Sequence, residues 1–318
     1  MERVTVKQAA DMLLSHDDIL ILCHHSPDGD TLGSGYGLYF GLKSLGKRAR
    51  VLCPDEISGK FRFMLRGYRD EKFEPQFIVA VDIADKKLMG RLEGAYGDKV
   101  DLCIDHHVSN TGYAAALCLD DTAAAAAQVI FAVLEQMGVA PSSHIANCLY
   151  CGLATDTGCF RYANTTAQTF YTAAKLVEWG ADNGTIGREV FDTRSRARIM
   201  AENRLMQSLE FYFDDRCALA VITLQDMADS RIEQSDLDGL TALPRQIEGV
   251  EVGITIKEKE VGVYKVSVRT STYVDACALC RQLGGGGHIR ASGCQLTGTL
   301  KQVKEQLLTL VKDFLKPL

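Results

Sequence analysis

At 318 residues the chain is long enough for a sizeable core and, at roughly 100 to 200 residues per domain, for two domains. Its apolar fraction of 47% and charged fraction of 24% are ordinary for a soluble globular protein, and a formal net charge of -6 argues against a broad basic track for long nucleic acid. Neither property excludes a small anionic substrate held by metals.

Thr5 reads as the N-cap of a helix over Val6 to Ser15, with Ala9, Met12 and Leu13 on one face. Asp18 to Cys23 is a predicted strand whose apolar residues are continuous rather than alternating, the pattern of a strand buried on both faces of a parallel sheet. The helix predicted over Leu32 to Leu45, stopped by Gly46, carries Gly33, Gly35, Gly37 and Gly41; such poor helix formers point to close approach to the sheet. Arg48 to Cys53 is a second strand, ended by Pro54, and the segment to Glu74 fits no element. Strands at Phe77 to Asp82 and Val100 to Asp105 flank a helix over Lys86 to Tyr96. Asp121 to Met137 reads as one helix that holds the five alanines at 123 to 127, and Pro141 opens another that runs to Thr155. Helical patterns follow over Thr166 to Trp179 and Ala197 to Tyr212. From Arg216 the texture changes: strands at Cys217 to Thr223, Val250 to Lys257 and Val263 to Thr270 alternate with shorter helices. Val274 to Leu283 and Leu300 to Leu315 read as helices either side of a glycine run. The alternation predicts an α/β chain: an N-terminal doubly wound, mostly parallel sheet over residues 1–190, a helical linker over 191–213, and a smaller C-terminal α/β domain over 214–318.

Eleven cysteines, most of them inside apolar runs (Cys23, Cys103, Cys118, Cys148), read as reduced thiols acting as small hydrophobes. Cys148/Cys151 and Cys277/Cys280 have zinc-like spacing but lie in helix-like segments without the turn residues of a zinc knuckle. Met1 to Ala10 does not read as a signal peptide and no apolar run approaches the roughly 20 residues of a membrane span, so the expected location is cytoplasmic, with no membrane partner.

Four of the seven histidines stand in two doublets at the ends of apolar runs: His24-His25 after Ile19 to Cys23, and His106-His107 after Val100 to Asp105. Asp82 ends another such run, and Asp156 follows the apolar segment Cys148 to Ala154. In an open parallel sheet the carboxyl ends of the strands line one edge, where ligands bind. Residues distant in sequence would meet there. Together His24, Asp28, Asp30, Asp82, His106 and Asp156 offer carboxylates with histidines and no cysteine, which suits Mn²⁺, or Mg²⁺ with less comfort, better than structural zinc. Six ligands exceed the need of one ion with open positions, whereas two ions sharing a bridging carboxylate would use them all. Without metal the four aspartates would repel one another. A single such aspartate is more often a helix cap or turn former, but the whole set with its histidines is not explained that way. Two metals about 3.5 to 4 Å apart clamp an in-line displacement at phosphorus and make hydroxide available at neutral pH, which gives phosphoester hydrolysis.

The segments His24-x-x-Pro27-Asp28-Gly29-Asp30-x-x-Gly33-Ser34, Val81-Asp82, Asp105-His106-His107 and Thr155-Asp156-Thr157-Gly158-x-Phe160-Arg161 resemble, in order and spacing, the four motifs of the DHH phosphoesterase superfamily. Gly284-Gly285-Gly286-Gly287-His288-x-x-Ala291-Ser292-Gly293 resembles the substrate-binding motif of the DHH-associated C-terminal domain, so the resemblance spans nearly the whole chain. It implies His24, Asp28, Asp82 and Asp156 around one Mn²⁺ and Asp30, Asp82 and His106 around another, with Mg²⁺ or Co²⁺ as alternatives and Asp82 bridging. It also implies that His107 faces the scissile phosphate or leaving oxygen and that Asp105 orients a histidine. Compact two-domain members without sensor or membrane segments include oligoribonucleases that also dephosphorylate 3'-phosphoadenosine 5'-phosphate. Similarity to these implies short RNA or nucleotide substrates, such as pGpG and pApA, cleaved to mononucleotides.

Substrate grip is expected from the C-terminal domain. Gly285, Gly286 and Gly287 let backbone N–H groups approach an anion, and His288 and Arg269 are placed to hold a phosphate, Arg269 bidentately. Arg290 and Arg161 rank second, since each reads equally well as a surface charge. His25 has no assigned role, and Ser26 and Ser292 depart from the family pattern in ways that touch substrate preference rather than the reaction. A terminal phosphate held at fixed distance from the metals would favour dinucleotides. A cyclic-dinucleotide phosphodiesterase would carry the same motifs. A RecJ-like exonuclease on long single strands would want a basic groove with stacking aromatics, for which one tryptophan and a negative net charge offer little. A nucleotide-binding regulator without activity would show a lost metal ligand, and all six are present. The C-terminal domain also resembles an RNA-contacting module of alanyl-tRNA synthetase-like proteins, but no aminoacylation motif accompanies it. A homodimer is left open.

Overall fold

Short apolar strands, each followed by a helix, build the first unit of the computed structural model, which describes residues 1–233, 237 and 239–316. The chain divides into two compact units, Met1–Thr193 and Arg194–Leu318. In the first, the order is β1 (Glu2–Arg3), α1 (Val6–Ser15), β2 (Ile19–Leu22), α2 (Gly29–Ser44), β3 (Ala49–Leu52), β4 (Phe77–Val81), α3 (Glu93–Tyr96), β5 (Leu102–Asp105), β6 (Ala116–Leu119), α4 (Ala126–Gln136), α5 (Ser143–Asp156), α6 (Ala167–Glu178) and α7 (Asn183–Ile186). The strands form one parallel sheet in the order β1-β6-β5-β4-β2-β3. After β2 the chain moves outward to β3, then returns across β2 to β4. The strand order therefore reverses between β2 and β4, where such sheets bind ligands.

The continuous apolar strands have the expected cause. Ile19 and Ile21 join Val79, Val81, Leu102 and Ile104 in the core under the helices of one face. Leu20 and Leu22 join Ile78, Ala80 and Cys103 in the core of the other. Each such side chain contributes about 1.5 to 3 kcal/mol when removed from water, so both faces are held.

The helices depart from the sequence pattern where side chains intervene. Helix α2 starts at Gly29, not Leu32, because Asp28 caps it by accepting from the N–H groups of Asp30 and Thr31. Its glycines mostly serve helix contacts rather than the sheet: a Cβ at Gly33 would sit 2.4 Å from the Cys148 carbonyl oxygen of α5, while only Gly35 faces the sheet, at Cys23. Helix α4 begins at Ala126, so Ala123 to Ala125 are not helical. The Asp30 carboxylate accepts from Ala126 N–H at 2.6 Å and Ala127 N–H at 2.9 Å and so caps α4 from another element. The helix expected over Lys86 to Tyr96 is a 3₁₀ turn, Lys86–Leu92, followed by α3. Gly90 breaks it with a φ of +54°, and the Leu88 carbonyl accepts from His25 N–H instead. The unplaced segment before Glu74 contains a 3₁₀ turn, Gly59–Leu65.

The second unit runs α8 (Arg196–Gln207), β7 (Glu210–Tyr212), β8 (Cys217–Ile222), α9 (Leu224–Ser230), β9 (Val252–Glu260), β10 (Val263–Thr270), α10 (Ala276–Arg281), β11 (Gly286–His288), β12 (Ala291–Thr297) and α11 (Leu300–Phe314). Its sheet has the order β11-β12-β10-β9-β8-β7, with β8 and β9 parallel and the other pairs antiparallel. Val252, Ile254, Ile256, Val266 and Val268 pack with Leu279 and Leu307 on one face. On the other, Ala220 and Ile222 meet Ala201 and Leu205 of α8. The helix expected to reach Tyr212 stops at Gln207, since Ser208 Oγ accepts from Val221 N–H and Glu210–Tyr212 pairs with β8 as an edge strand. All eleven cysteines are free. No helix among the described residues is long and apolar enough to cross a membrane.

Candidate active site

The carboxyl ends of β2, β4 and β5, the start of α2 and the end of α5 deliver six side chains to the switch point. Thr31 ties two strand ends together: its hydroxyl accepts from His24 N–H and donates to the Val81 carbonyl, each at 3.2 Å. Directly after β4, Asp82 has a φ of +58°, a left-handed conformation that aspartate tolerates better than most residues. Its N–H donates to the Ile104 carbonyl at 3.0 Å, which holds the turn. Asp82 and Asp30 are buried, with 3% and 0% exposure.

Asp82 divides its carboxylate. Oδ2 lies 3.6 Å from His24 Nε2, and Oδ1 lies 3.6 Å from His106 Nε2. His24 Nε2 is also 3.6 Å from Asp28 Oδ1. His106 Nε2 is 3.3 Å from Asp156 Oδ2 and 3.8 Å from Asp30 Oδ2. Each imidazole is fixed through its other nitrogen, His24 Nδ1 on the His25 carbonyl at 2.7 Å and His106 Nδ1 on the Ala123 carbonyl at 3.3 Å. That arrangement leaves both Nε2 atoms as lone-pair donors. The six ligands gather into two groups, His24 with Asp28 and Asp82, and Asp30 with His106 and Asp156, each within 4.8 Å; a third group of Asp82, Asp105, His106 and His107 shares a member with each.

This set fits divalent cations. Atoms bound to one ion at about 2.1 Å stand roughly 3 to 3.5 Å from each other, close to the spacing here. Asp82 Oδ1 and His106 Nε2 are buried without any hydrogen-bond partner, a costly state that a shared cation relieves. The charges agree. Burial works against a charged His24, but Asp28 and Asp82 outweigh it and hold its pKa up at about 11. The same contest at His106, where Asp82 and Asp30 oppose burial, ends at about 10. Burial and the Asp82 charge push Asp156 up to about 6, and burial with Asp82 and Asp156 pushes Asp30 well above the carboxylate range. Without a cation, protons on the imidazoles balance the carboxylates.

Asp156 sits apart from the pairing that the resemblance implied. It groups with Asp30 and His106 rather than with His24 and Asp28. Asn164 ties the two segments together: its Nδ2 donates to the Asp156 and Ala124 carbonyls, each at 3.1 Å, and so joins the end of α5 to the stretch whose Ala123 carbonyl meets His106 Nδ1.

Asp105 is no free ligand. It is fully buried; Oδ1 accepts from His106 N–H at 2.8 Å and His107 Nδ1 at 2.8 Å, and Oδ2 accepts from Asn110 Nδ2 at 2.6 Å. Burial opposes its charge, but His107 and Asn110 keep its pKa low. The Asp105 contact in turn raises the pKa of His107, against burial. His107 is 42% exposed, with Nε2 free of any contact that fixes Nδ1. Asn110, Thr31 and Asn164 did not stand out in the sequence, where isolated Asn and Thr near turns read as turn formers. His25 is half-buried beside Gly90, consistent with a packing neighbour.

Of the residues expected to grip substrate, Arg269 and Gly286 line a cavity of about 340 Å³ within the second unit; Gly285, Gly287, His288 and Arg290 lie outside its lining. Gly285 is needed for packing, since a Cβ there would come within 2.2 Å of the Gly293 carbonyl oxygen. Arg290 donates to the Val274 and Thr272 carbonyls and so braces the preceding loop. His288 is exposed at the end of β11.

A doubly wound sheet with this donor set at its switch point defines a metal-dependent hydrolase. Residues 18–153 match the DHH family, N-terminal domain, and residues 216–317 the DHHA1 domain. The chain is 33% identical over 300 residues to the bifunctional oligoribonuclease and PAP phosphatase NrnA of Thermus thermophilus, covering 93% of this chain and 89% of that protein. It is 28% identical over 285 residues to the probable bifunctional oligoribonuclease and PAP phosphatase NrnA of Streptococcus mutans, covering 88% and 89%. The crystal structure of an exopolyphosphatase-related protein from Bacteroides fragilis superposes with a TM-score of 0.86 at 23% identity, over 97% of this chain and 96% of that one, and shares the fold. The chain belongs to the DHH family of phosphoesterases.

Proposed function

We propose that this enzyme hydrolyses short oligoribonucleotides, dinucleotides such as pGpG and pApA foremost, to mononucleotides, and removes the 3'-phosphate of 3'-phosphoadenosine 5'-phosphate. The buried Asp82 carboxylate carries the reading, because its two oxygens face two separate donor groups. Support for the substrates comes from the Thermus thermophilus relative, whose name states both activities and which aligns along nearly its full length. Two divalent cations, Mn²⁺ foremost, would be held by His24, Asp28 and Asp82 on one side and by Asp30, Asp82, His106 and Asp156 on the other. When bound, they offset charge on the phosphoryl oxygens and make hydroxide available at neutral pH.

The chain's own residues do the remaining work. The Asp28 carboxylate is fixed by the first N–H groups of α2, and the Asp30 carboxylate by those of α4, so these ligands are oriented before any substrate arrives. Asp105 holds His107 through Nδ1 and leaves Nε2 to donate to a phosphoryl oxygen or to the leaving oxygen. With its pKa raised by Asp105, His107 begins the cycle as the acid and gives up its proton as the P–O bond breaks. The 1–193 unit is then the catalytic part, and the 194–318 unit supplies substrate contacts through Arg269, with the Gly285 to His288 run as a secondary contact. The test is a comparison of kcat/KM in Mn²⁺ for pApA, 3'-phosphoadenosine 5'-phosphate, a cyclic dinucleotide and long single-stranded DNA. Preference for the first two is expected. Preference for the cyclic compound or the long strand would overturn the substrate assignment, and absence of turnover would overturn the reaction.

A further inference from the structure

The stretch from Asp55 to Glu74, which fits no element in the sequence, gathers cations on one short turn. The 3₁₀ turn Gly59–Leu65 holds Lys60 and Arg62, and Arg66 closes it with its N–H on the Phe63 carbonyl at 3.3 Å. Seven residues is long for a 3₁₀ run, and at about three residues per turn Lys60, Phe63 and Arg66 fall in line along one edge. That edge forms one wall of a cavity of about 530 Å³ in the first unit. The start of α5, with Ser143 and His144, and the π-helical turn Gly187–Asp192, with Arg188, supply others. Charge in this cavity is out of balance: Lys60, Arg62, Arg66 and Arg188 line it against two carboxylates, Asp182 and Glu189, in a chain whose net charge is -6. Both carboxylates are already engaged, Asp182 accepting from Thr185 N–H at 2.9 Å to cap α7 and Glu189 pairing with Arg188 at 3.4 Å. Arg62 meets Glu56 at 3.7 Å, where both side chains stand in solvent. Lys60 lies over the Phe61 ring, 4.8 Å from its centroid, and makes no ion pair or hydrogen bond among the described residues. The Arg66 guanidinium makes none either. On the facing wall Ser142 gives α5 no side-chain cap, so the N–H groups of its first turn add donors to those cations.

We propose that this cavity binds a free, compact anion with two or more phosphoryl groups, inorganic pyrophosphate being the simplest, with one group on Lys60 and the other on Arg66. The spacing favours two groups over one. Six residues of 3₁₀ rise set the two Cα atoms roughly 12 Å apart, a gap that two long cationic side chains close around a diphosphate more readily than around a single phosphate. The volume lies within the range of ligand cavities, about 300 to 1,000 Å³. The site is separate from the metal centre, since the 14 residues of α5 put its first turn about 20 Å from Asp156 at its end. None of the carboxylate–imidazole groups able to hold a metal lies here among the described residues, so the cavity is equipped to bind rather than to react.

The test is calorimetric titration of inorganic pyrophosphate into the metal-stripped full-length protein in chloride buffer. Saturable one-to-one binding is expected. Lys60→Met and Arg66→Met should each weaken it by roughly tenfold, the loss of one charge-assisted contact. Lys72→Met, which removes an exposed cation of the same stretch outside the cavity, should leave it unchanged, and so should Arg269→Ala in the second unit. Absence of saturable binding, an unchanged affinity in Lys60→Met or Arg66→Met, an equal loss in Lys72→Met, or a loss confined to Arg269→Ala would each overturn the proposal. Turnover of pApA in Mn²⁺ identifies the source of the phosphoryl groups. An unchanged KM in Lys60→Met and Arg66→Met is expected for a free ligand, whereas a KM raised in both would make the cavity a contact for a distal phosphate of the substrate and overturn the free diphosphate. The binding measurement needs no turnover, so it stands or falls apart from the substrate assignment.

Discussion

Asp82 joins backbone strain to function. A left-handed φ at a buried acidic residue persists only where its surroundings demand it, and here the demand is two donor groups that must share one carboxylate. Asp82→Ala is expected to abolish Mn²⁺-dependent hydrolysis while far-ultraviolet circular dichroism stays unchanged; full activity at saturating metal would remove the shared-carboxylate arrangement. Asn110 tests a gentler effect. It donates to Asp105 Oδ2 and is itself fixed by Gly112 N–H at 2.8 Å, so it sets the carboxylate that sets His107. Asn110→Ala should lower kcat by about 10- to 100-fold with little change in KM, and should weaken the His107 Nδ1–Asp105 hydrogen bond, read as an upfield shift of the Nδ1 proton signal in imidazole NMR spectra. Unchanged kcat and an unchanged proton signal would mean that Asp105 needs no support. The two residues also differ in how well the sequence reveals them. Asp82, like His24 and His106, closes an apolar run and announces a strand end. Asn110 acts only because a turn returns it to Asp105, with Asn110 N–H on the His107 carbonyl at 3.0 Å, and no periodicity records that fold-back.

At the scale of elements, the strands with continuous apolar residues and the helices with their own caps were legible in the sequence: α1 and α6 begin after Thr5 and Thr166, each with a capping box. Elements set by distant partners were not. The start of α4 is fixed by Asp30, nearly a hundred residues earlier, so the helix expected from Asp121 begins five residues later, at Ala126. Strand β12 was missed because Ala291, Ser292 and Gly293 carry little apolar signal, although Ser292, Cys294 and Leu296 are buried. In the second unit one side chain anchors a loop in the same remote way. The Glu251 carboxylate accepts from the N–H groups of Thr272, Tyr273 and Val274 at 3.0, 2.8 and 2.8 Å and from the Thr272 hydroxyl at 2.7 Å. Burial opposes its charge, but these donors hold its pKa below the ordinary 4.5. A depressed carboxylate contributes stability that is full above its unfolded pKa and is lost as pH falls through the folded one. Glu251→Gln is therefore expected to lower unfolding free energy by about 1 to 3 kcal/mol at pH 7, with the difference shrinking toward pH 3, in urea titrations at both pH values. An equal loss at both would show that the anchor does not depend on charge.

For the molecule as a whole, a net charge of -6 coexists with a dense acidic cluster in the first unit, and protons and metal ions compete to balance it. In the metal-free protein the raised pKa values of His106 and His24, about 10 and 11, mean that both imidazoles are charged at neutral pH. The stability they give is full below the unfolded value of 6.5 and is lost as pH climbs through those folded values. A cation needs the same Nε2 atoms as lone pairs, so its binding must expel these protons. Mn²⁺ titrated into metal-stripped protein at pH 7.5 should release protons, read as a slope in calorimetric enthalpy against buffer ionisation enthalpy. Its apparent affinity should rise with pH across the neutral range, because each step upward lowers the cost of deprotonating the ligands. Saturating Mn²⁺ should also raise Tm: binding to the folded state alone stabilises by about 2.7 kcal/mol at a hundredfold excess over Kd. A zero slope with a pH-independent affinity would mean that the imidazoles are already neutral when the ion arrives.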